Sequence, residues 1–108
     1  MTPNHPYFNK MVTKMFNTLG NQIIKTKLSQ NVEYDFNVKV RKGTSDEPYR
    51  WVIEVTSFPE IPPYFYLRKK GGIESIPKEY FEEMFLGLLK QIGFSTDGVG
   101  GSIKVKIK

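Results

Sequence analysis

The chain has no cysteine and only one histidine, and these two absences remove several kinds of chemistry. Without cysteine there is no disulfide framework, no thiolate nucleophile and no cysteine-ligated zinc. The single histidine, His5, lies in residues 1–6, a segment that we expect to be mobile. Because a general base must be held in place, His5 is not a predicted catalytic residue or metal ligand.

Long apolar segments are also missing, and so are acidic residues near the N-terminus. No stretch of about 18 apolar residues occurs, so we predict no integral membrane association, and we expect an intracellular, cytoplasmic protein. The first 32 residues contain no Asp or Glu, and the whole chain has a net charge of +5. Such a charge favours a polyanionic partner or an acidic protein surface.

The chain is, by contrast, rich in aromatic residues, with eight Phe, six Tyr and one Trp in 108 residues. Disordered chains are poor in aromatic residues, and this length suits one hydrophobic core. We therefore predict a single folded domain over 1–108. Its one flexible internal segment is predicted to be the glycine-rich loop at 94–102.

The spacing of apolar residues predicts the elements. Apolar residues recur every three or four positions from Phe8 to Leu28 and again from Ile76 to Ile92, which is typical of amphipathic helices. Alternation with period two predicts strands at 32–42, 49–57, 64–69 and 103–108. Ser75 is the predicted N-cap of the second helix, and Gly93 its stop.

The resulting order, α-β-β-β-α-β, predicts an α+β fold. We expect a two-layer sandwich in which two amphipathic helices cover one face of a mainly antiparallel four-stranded sheet. The restriction-nuclease-like core has the same element order, with an acid on its second strand and an acid-x-Lys triplet on its third. Glu54 supplies the first, but the third strand has no acid. We therefore predict a protein that is not an enzyme and has no metal site or cofactor.

The cations and tyrosines on the strands carry the main functional prediction. Strand side chains repeat every two residues, so these groups share the sheet face away from the helices, or its rim. An open basic sheet with aromatics suits nucleic acid, preferably single-stranded, bound by phosphate contacts and stacking. The predicted contact residues are Lys39, Arg41, Lys42, Arg50, Tyr64, Tyr66, Arg68, Lys69, Lys70, Lys104, Lys106 and Lys108.

A protein-interaction or assembly role is the alternative, for example in a viral virion component or an inhibitor of a host factor. The second helix is more apolar than one sheet face requires, and a proline-rich edge follows Phe58, so a partner or a second copy could bind there. The predicted interface residues are Tyr80, Phe81, Met84, Phe85 and Leu88. The lysines of the last strand then serve only to block edge-to-edge aggregation.

Overall fold

The structure is a computed structural model that describes residues 7–28, 31–95 and 101–108. The segment 1–6 with His5, and residues 96–100 of the glycine-rich loop, lie outside the described residues. The fold is α+β, as predicted, with helical segments α1 (Phe8–Met15), a π-helical segment (Phe16–Gly20), α2 (Asn21–Lys27) and α3 (Lys78–Gln91). The strands are β1 (Asp35–Lys42), β2 (Trp51–Phe58), β3 (Tyr64–Lys69), β4 (Gly72–Pro77) and β5 (Ile103–Ile107).

The first three segments follow one another directly as an N-terminal helix whose buried residues repeat every four positions. Phe8, Val12, Phe16, Gly20 and Ile24 are all buried. In a regular α-helix a spacing of four rotates the stripe by about 40° per step, so the buried side would drift away from the sheet. The wider π-helical turn in the middle rotates the stripe back. The helix can therefore keep one side against the core over its whole length.

Two asparagines on this helix form hydrogen bonds with backbone groups at the start of β1, on the outer edge of the sheet. The Asn21 side chain donates from Nδ2 to the Tyr34 carbonyl (2.6 Å) and accepts the Tyr34 N–H at Oδ1 (2.7 Å). Asn17 makes the same pair of bonds with Phe36, at 2.9 and 2.8 Å. One helical turn matches two strand residues in length, so the carboxamides continue the hydrogen-bond ladder. Asn21, a polar residue, is only 9% exposed.

The sheet differs from the predicted four-stranded one. β1 and β2 are antiparallel, and β5 lies parallel to β2, which gives a mixed three-stranded sheet of order β1-β2-β5. β3 and β4 form a separate antiparallel hairpin. The strand β4 covers the segment in which the sequence predicted a Ser75 helix cap, and α3 instead begins after Pro77. Gly93 ends the helix with a positive φ of 96°, as predicted.

Both helices pack against the same face of the three-stranded sheet. The ring of Phe85 on α3 lies 4.6 Å from Phe16 and 5.5 Å from Phe36 of β1, centroid to centroid. The hairpin joins this core through Phe65, whose ring is 4.7 Å from Phe81. Across 7–28, 31–95 and 101–108, no helix combines the length and apolar character that crossing a membrane requires.

Candidate nucleic-acid interface

The open face of the three-stranded sheet, opposite the helices, collects five of the predicted cations around one acid. The register places Glu54 of β2 between Lys39 of β1 and Lys106 of β5. Since Ile53 and Val55 point into the core, Glu54 points to the open face. The cations that share this face by strand alternation are Lys39, Arg41, Lys104, Lys106 and Lys108.

Arg41 connects two carboxylates on this face. Its Nε donates to Glu54, and its two terminal nitrogens donate to Glu47 in the β1–β2 loop at 2.6 and 3.1 Å. Lys106 lies 2.9 Å from the second oxygen of Glu47, and Lys108 contacts the second oxygen of Glu54. We call Arg41, Glu47, Glu54, Lys106 and Lys108 the sheet network.

The network shifts the pKa values of its acids. Hydrogen bonds from Arg41 and Lys106 hold the pKa of Glu47 well below its ordinary value. Hydrogen bonds from Lys108 and Arg41 lower the pKa of Glu54 in the same way. Glu47 and Glu54 in turn raise the pKa of Arg41. The positive charge on this part of the face is therefore largely balanced within the protein.

Lys104 is also paired, at the outer edge of β5. Its ammonium group lies 3.4 Å from Glu82 on α3, and the other Glu82 oxygen accepts the Ile107 N–H at 3.2 Å. Val52 lies between Arg41 and Lys104 in the register and is fully buried, although it points away from the helices. Of the cations on the open face, only Lys39 has no ion pair among the described residues.

Two further predicted residues lie at the end of the sheet. The Lys42 ammonium group lies 5.9 Å from the centroid of the Trp51 ring, within range of a cation–π contact. Arg50 immediately precedes β2 and is exposed. Both face the solvent at the rim of the sheet, so they remain candidates for a phosphate contact.

The hairpin presents a second surface, formed by side chains that point away from the core. Tyr64 and Tyr66 are 54% and 63% exposed, whereas Phe65 between them is buried. In the hairpin, each outward-facing residue of β3 is paired with one residue of β4, whose side chain lies on the same face. This surface, which we call the hairpin face, consists of Tyr64, Tyr66, Arg68, Ile73, Ser75 and Pro77 and contains no Asp or Glu.

The hairpin ends in a basic turn. Lys70 is exposed, and Gly71 follows it with a φ of 93°, a left-handed conformation that favours glycine in tight hairpin turns. Lys69 is the last residue of β3. Arg68 and Lys70 make no ion pair among the described residues, so their charges face solvent at this end of the molecule.

The five predicted interface residues on α3 are not all surface residues. Phe81 and Phe85 belong to the core and are 0% and 1% exposed, so neither can contact a partner while the domain is folded. Met84 and Leu88 are partly buried against that core. Of the five, only Tyr80 is exposed, which leaves little apolar surface on this helix.

No family model, curated protein or solved structure gave a significant match to the chain. The described residues contain no group of three or more His, Cys, Asp or Glu side chains that could hold a metal ion. The residues that sequence reasoning missed are the acids Glu47 and Glu82, which pair with the predicted cations. Their only sequence signal was their charge, because the lysines that they contact, Lys106 and Lys104, lie far from them in the chain.

Proposed function

We propose that the protein binds nucleic acid, preferably single-stranded, through the hairpin face and the basic turn beside it. The observation that carries this proposal is the row of exposed Tyr64, Tyr66 and Arg68 on an acid-free surface. Aromatic rings stack on bases of any sequence, and cations beside them contact phosphates. Both components lie on one short strand.

The spacing of the two tyrosines supports stacking. Alternate residues of a strand lie about 6.6 Å apart on the same face, which allows each ring to take a separate base. The inward residue Phe65 is fixed by its contacts with Phe81 and Tyr34, at 4.7 and 5.8 Å between ring centroids. The strand that presents the tyrosines is therefore held by the core, and little ordering is required on binding.

The sheet network enters this proposal only as a neighbouring surface. Arg41, Lys106 and Lys108 would have to leave Glu47 or Glu54 before they could contact a phosphate, and the carboxylates left behind would repel it. Lys42 and Arg50 at the rim are more available. The proposed binding surface is therefore smaller than the one expected from the sequence.

Binding to labelled single-stranded DNA, duplex DNA and RNA, each at about 50 and 200 mM salt, tests the proposal. Several phosphate contacts reduce affinity by orders of magnitude across this range. We expect measurable, salt-dependent binding with the single strand bound more tightly than the duplex. No binding to any polymer at the lower salt concentration would exclude the proposed function.

Protein interaction remains a second proposal, because apolar groups outside α3 are exposed. Ile73 on the hairpin face is 66% exposed, and Phe58 at the start of the proline-rich edge is 80% exposed. Light scattering distinguishes self-association through these residues from nucleic-acid binding. A dimer that Ile73→Ser disrupts would favour assembly over the nucleic-acid proposal.

A further inference from the structure

A groove of about 870 Å³ lies beside the start of β1, between the N-terminal helix and the turn at Phe58 and Pro59. Its volume is within the range of small-molecule sites. The side chains of Asn17 and Asn21 line it, and their paired hydrogen bonds to Phe36 and Tyr34 fix the helix against the strand. The groove is therefore formed before any ligand binds.

An exposed aromatic ring borders this groove. Phe58 is 80% exposed, so its ring contributes little to the core. It is paired with Asp35 across β1 and β2, which places both side chains on the same face of the sheet. The ring can stack on a planar ligand whose edge meets the Asp35 carboxylate.

The charges in the groove indicate the chemistry of that ligand. Asp35 and Glu33 on the strand side are exposed and make no ion pair among the described residues. Lys25 lines the same groove from the helix. Two acceptors beside an aromatic ring suit a base that carries an exocyclic amino group. Lys25 on the facing wall offsets part of the repulsion between the two carboxylates and the phosphate of that nucleotide.

We propose that the groove binds one unpaired, amino-bearing base, with cytosine preferred over thymine, from the strand bound on the hairpin face. The inference rests on the proposed function and adds base selectivity to it. Tyr34 lies beneath both surfaces, since it lines the groove and its buried ring lies 5.8 Å from Phe65, the inward-facing residue of β3. In the bound state Phe58 stacks on the base, and Asp35 or Glu33 accepts a hydrogen bond from the amino group. Thymine presents a carbonyl at that position and would face the carboxylate unfavourably.

Affinity for oligodeoxycytidine and oligothymidine of equal length tests the inference, because the two pyrimidines have similar size. We expect the wild-type protein to bind the cytosine polymer about tenfold more tightly. The double variant Glu33→Gln with Asp35→Asn should reduce this ratio to near one, even if both affinities rise as negative charge is removed. Phe58→Ala should weaken binding of both polymers, and oligodeoxyuridine controls for the thymine methyl group.

The outcomes separate the two proposals. A wild-type ratio near one, with binding that Arg68→Glu still weakens, would overturn the groove assignment and leave the proposed function standing. Absence of binding to either polymer would remove both. An oligoarginine peptide provides the third arm. Peptide binding that requires Asp35, without a cytosine preference, would assign the groove to a basic peptide and overturn the inference.

Discussion

On the open face of the three-stranded sheet, Arg41, Lys106 and Lys108 each contact a carboxylate, whereas the hairpin face contains no acid. The two surfaces carry similar cations, but the neighbouring groups differ. Exposed ion pairs contribute little to stability one at a time, and networks contribute more. A cation held by an acid is also less available to a phosphate. We therefore assign the sheet cations to the fold and propose that the hairpin cations take part in binding.

The largest effect on stability is expected from a buried polar residue whose hydrogen bonds hold the fold together. This effect is the reference against which changes on the two surfaces can be compared. Replacing Asn21 by Ala leaves the Tyr34 N–H and carbonyl without their partners in a buried position. We expect the free energy of unfolding to fall by about 2–4 kcal/mol, from chemical denaturation. Gln22→Ala, at the exposed neighbouring position, should change it by less than about 0.5 kcal/mol. Equal losses for the two variants would contradict a stabilising role for the Asn21 hydrogen bonds to Tyr34.

Charge reversal on the hairpin should have the largest effect on binding. Arg68→Glu with Lys70→Glu places two negative charges beside the tyrosines, so we expect affinity for single-stranded DNA to fall at least tenfold, with a shallower salt dependence. The melting temperature should hardly change, because neither residue is buried. Fluorescence anisotropy and thermal unfolding measure the two quantities. Unchanged affinity would move the binding surface away from the hairpin.

Removing one tyrosine ring tests stacking separately from charge. Tyr66→Ala should weaken single-stranded binding by about 1–2 kcal/mol and duplex binding by less, because paired bases cannot stack on the ring. Tyr66→Phe is the matched control and should retain most of the affinity. If the alanine variant weakens both polymers equally, the tyrosine acts through something other than stacking.

The sheet lysines should give the opposite pattern. Lys104→Ala with Lys106→Ala removes partners from Glu82 and Glu47, so we expect a lower melting temperature. Affinity for single-stranded DNA should change by less than about threefold, apart from the general effect of lower net charge. A tenfold loss of affinity with normal stability would return these lysines to the binding surface.

The smallest effect is a dependence of stability on pH. The pKa values of Glu47 and Glu54 are lowered in the folded state. Their contribution is therefore complete above the unfolded pKa of about 4.3. It is lost progressively as the pH falls from there through the lower folded-state pKa values, because the unfolded chain binds protons first. Thermal unfolding between about pH 3 and 7 should show this loss, reduced in Glu54→Gln. An identical pH profile for that variant would leave the Glu54 ion pairs without a stabilising role.

The element order was largely predictable from the sequence because hydrophobic periodicity is a local property. The alternation in β1 and β5 and the stripe of the N-terminal helix appear in the fold as expected. β4 was missed because Ser75 and Pro77 also suit the start of a helix, although the two glycines after Lys70 indicated a hairpin turn.

The pairing of elements was not predictable in the same way. The parallel contact of β2 with β5 joins segments separated by the hairpin and α3, and periodicity carries no information about it. Alternation places Tyr64 and Tyr66 on the same side of β3, but only the packing of Phe65 into the core shows that this side faces outward. Whether a lysine faces solvent or an acid depends on such distant contacts, as Lys104 and Glu82 illustrate.

Gly20 allows the close approach on which this arrangement depends. A Cβ atom at this position would lie 3.0 Å from both the Phe36 and Phe85 rings, so the helix and the sheet meet at van der Waals distance. A larger residue would require either the two rings or the helix to shift, and a shift of the helix would also move the two carboxamides that bind β1. The small size of Gly20 thus helps the two carboxamides to occupy backbone groups at this edge that would otherwise be open to pairing with a strand of another chain.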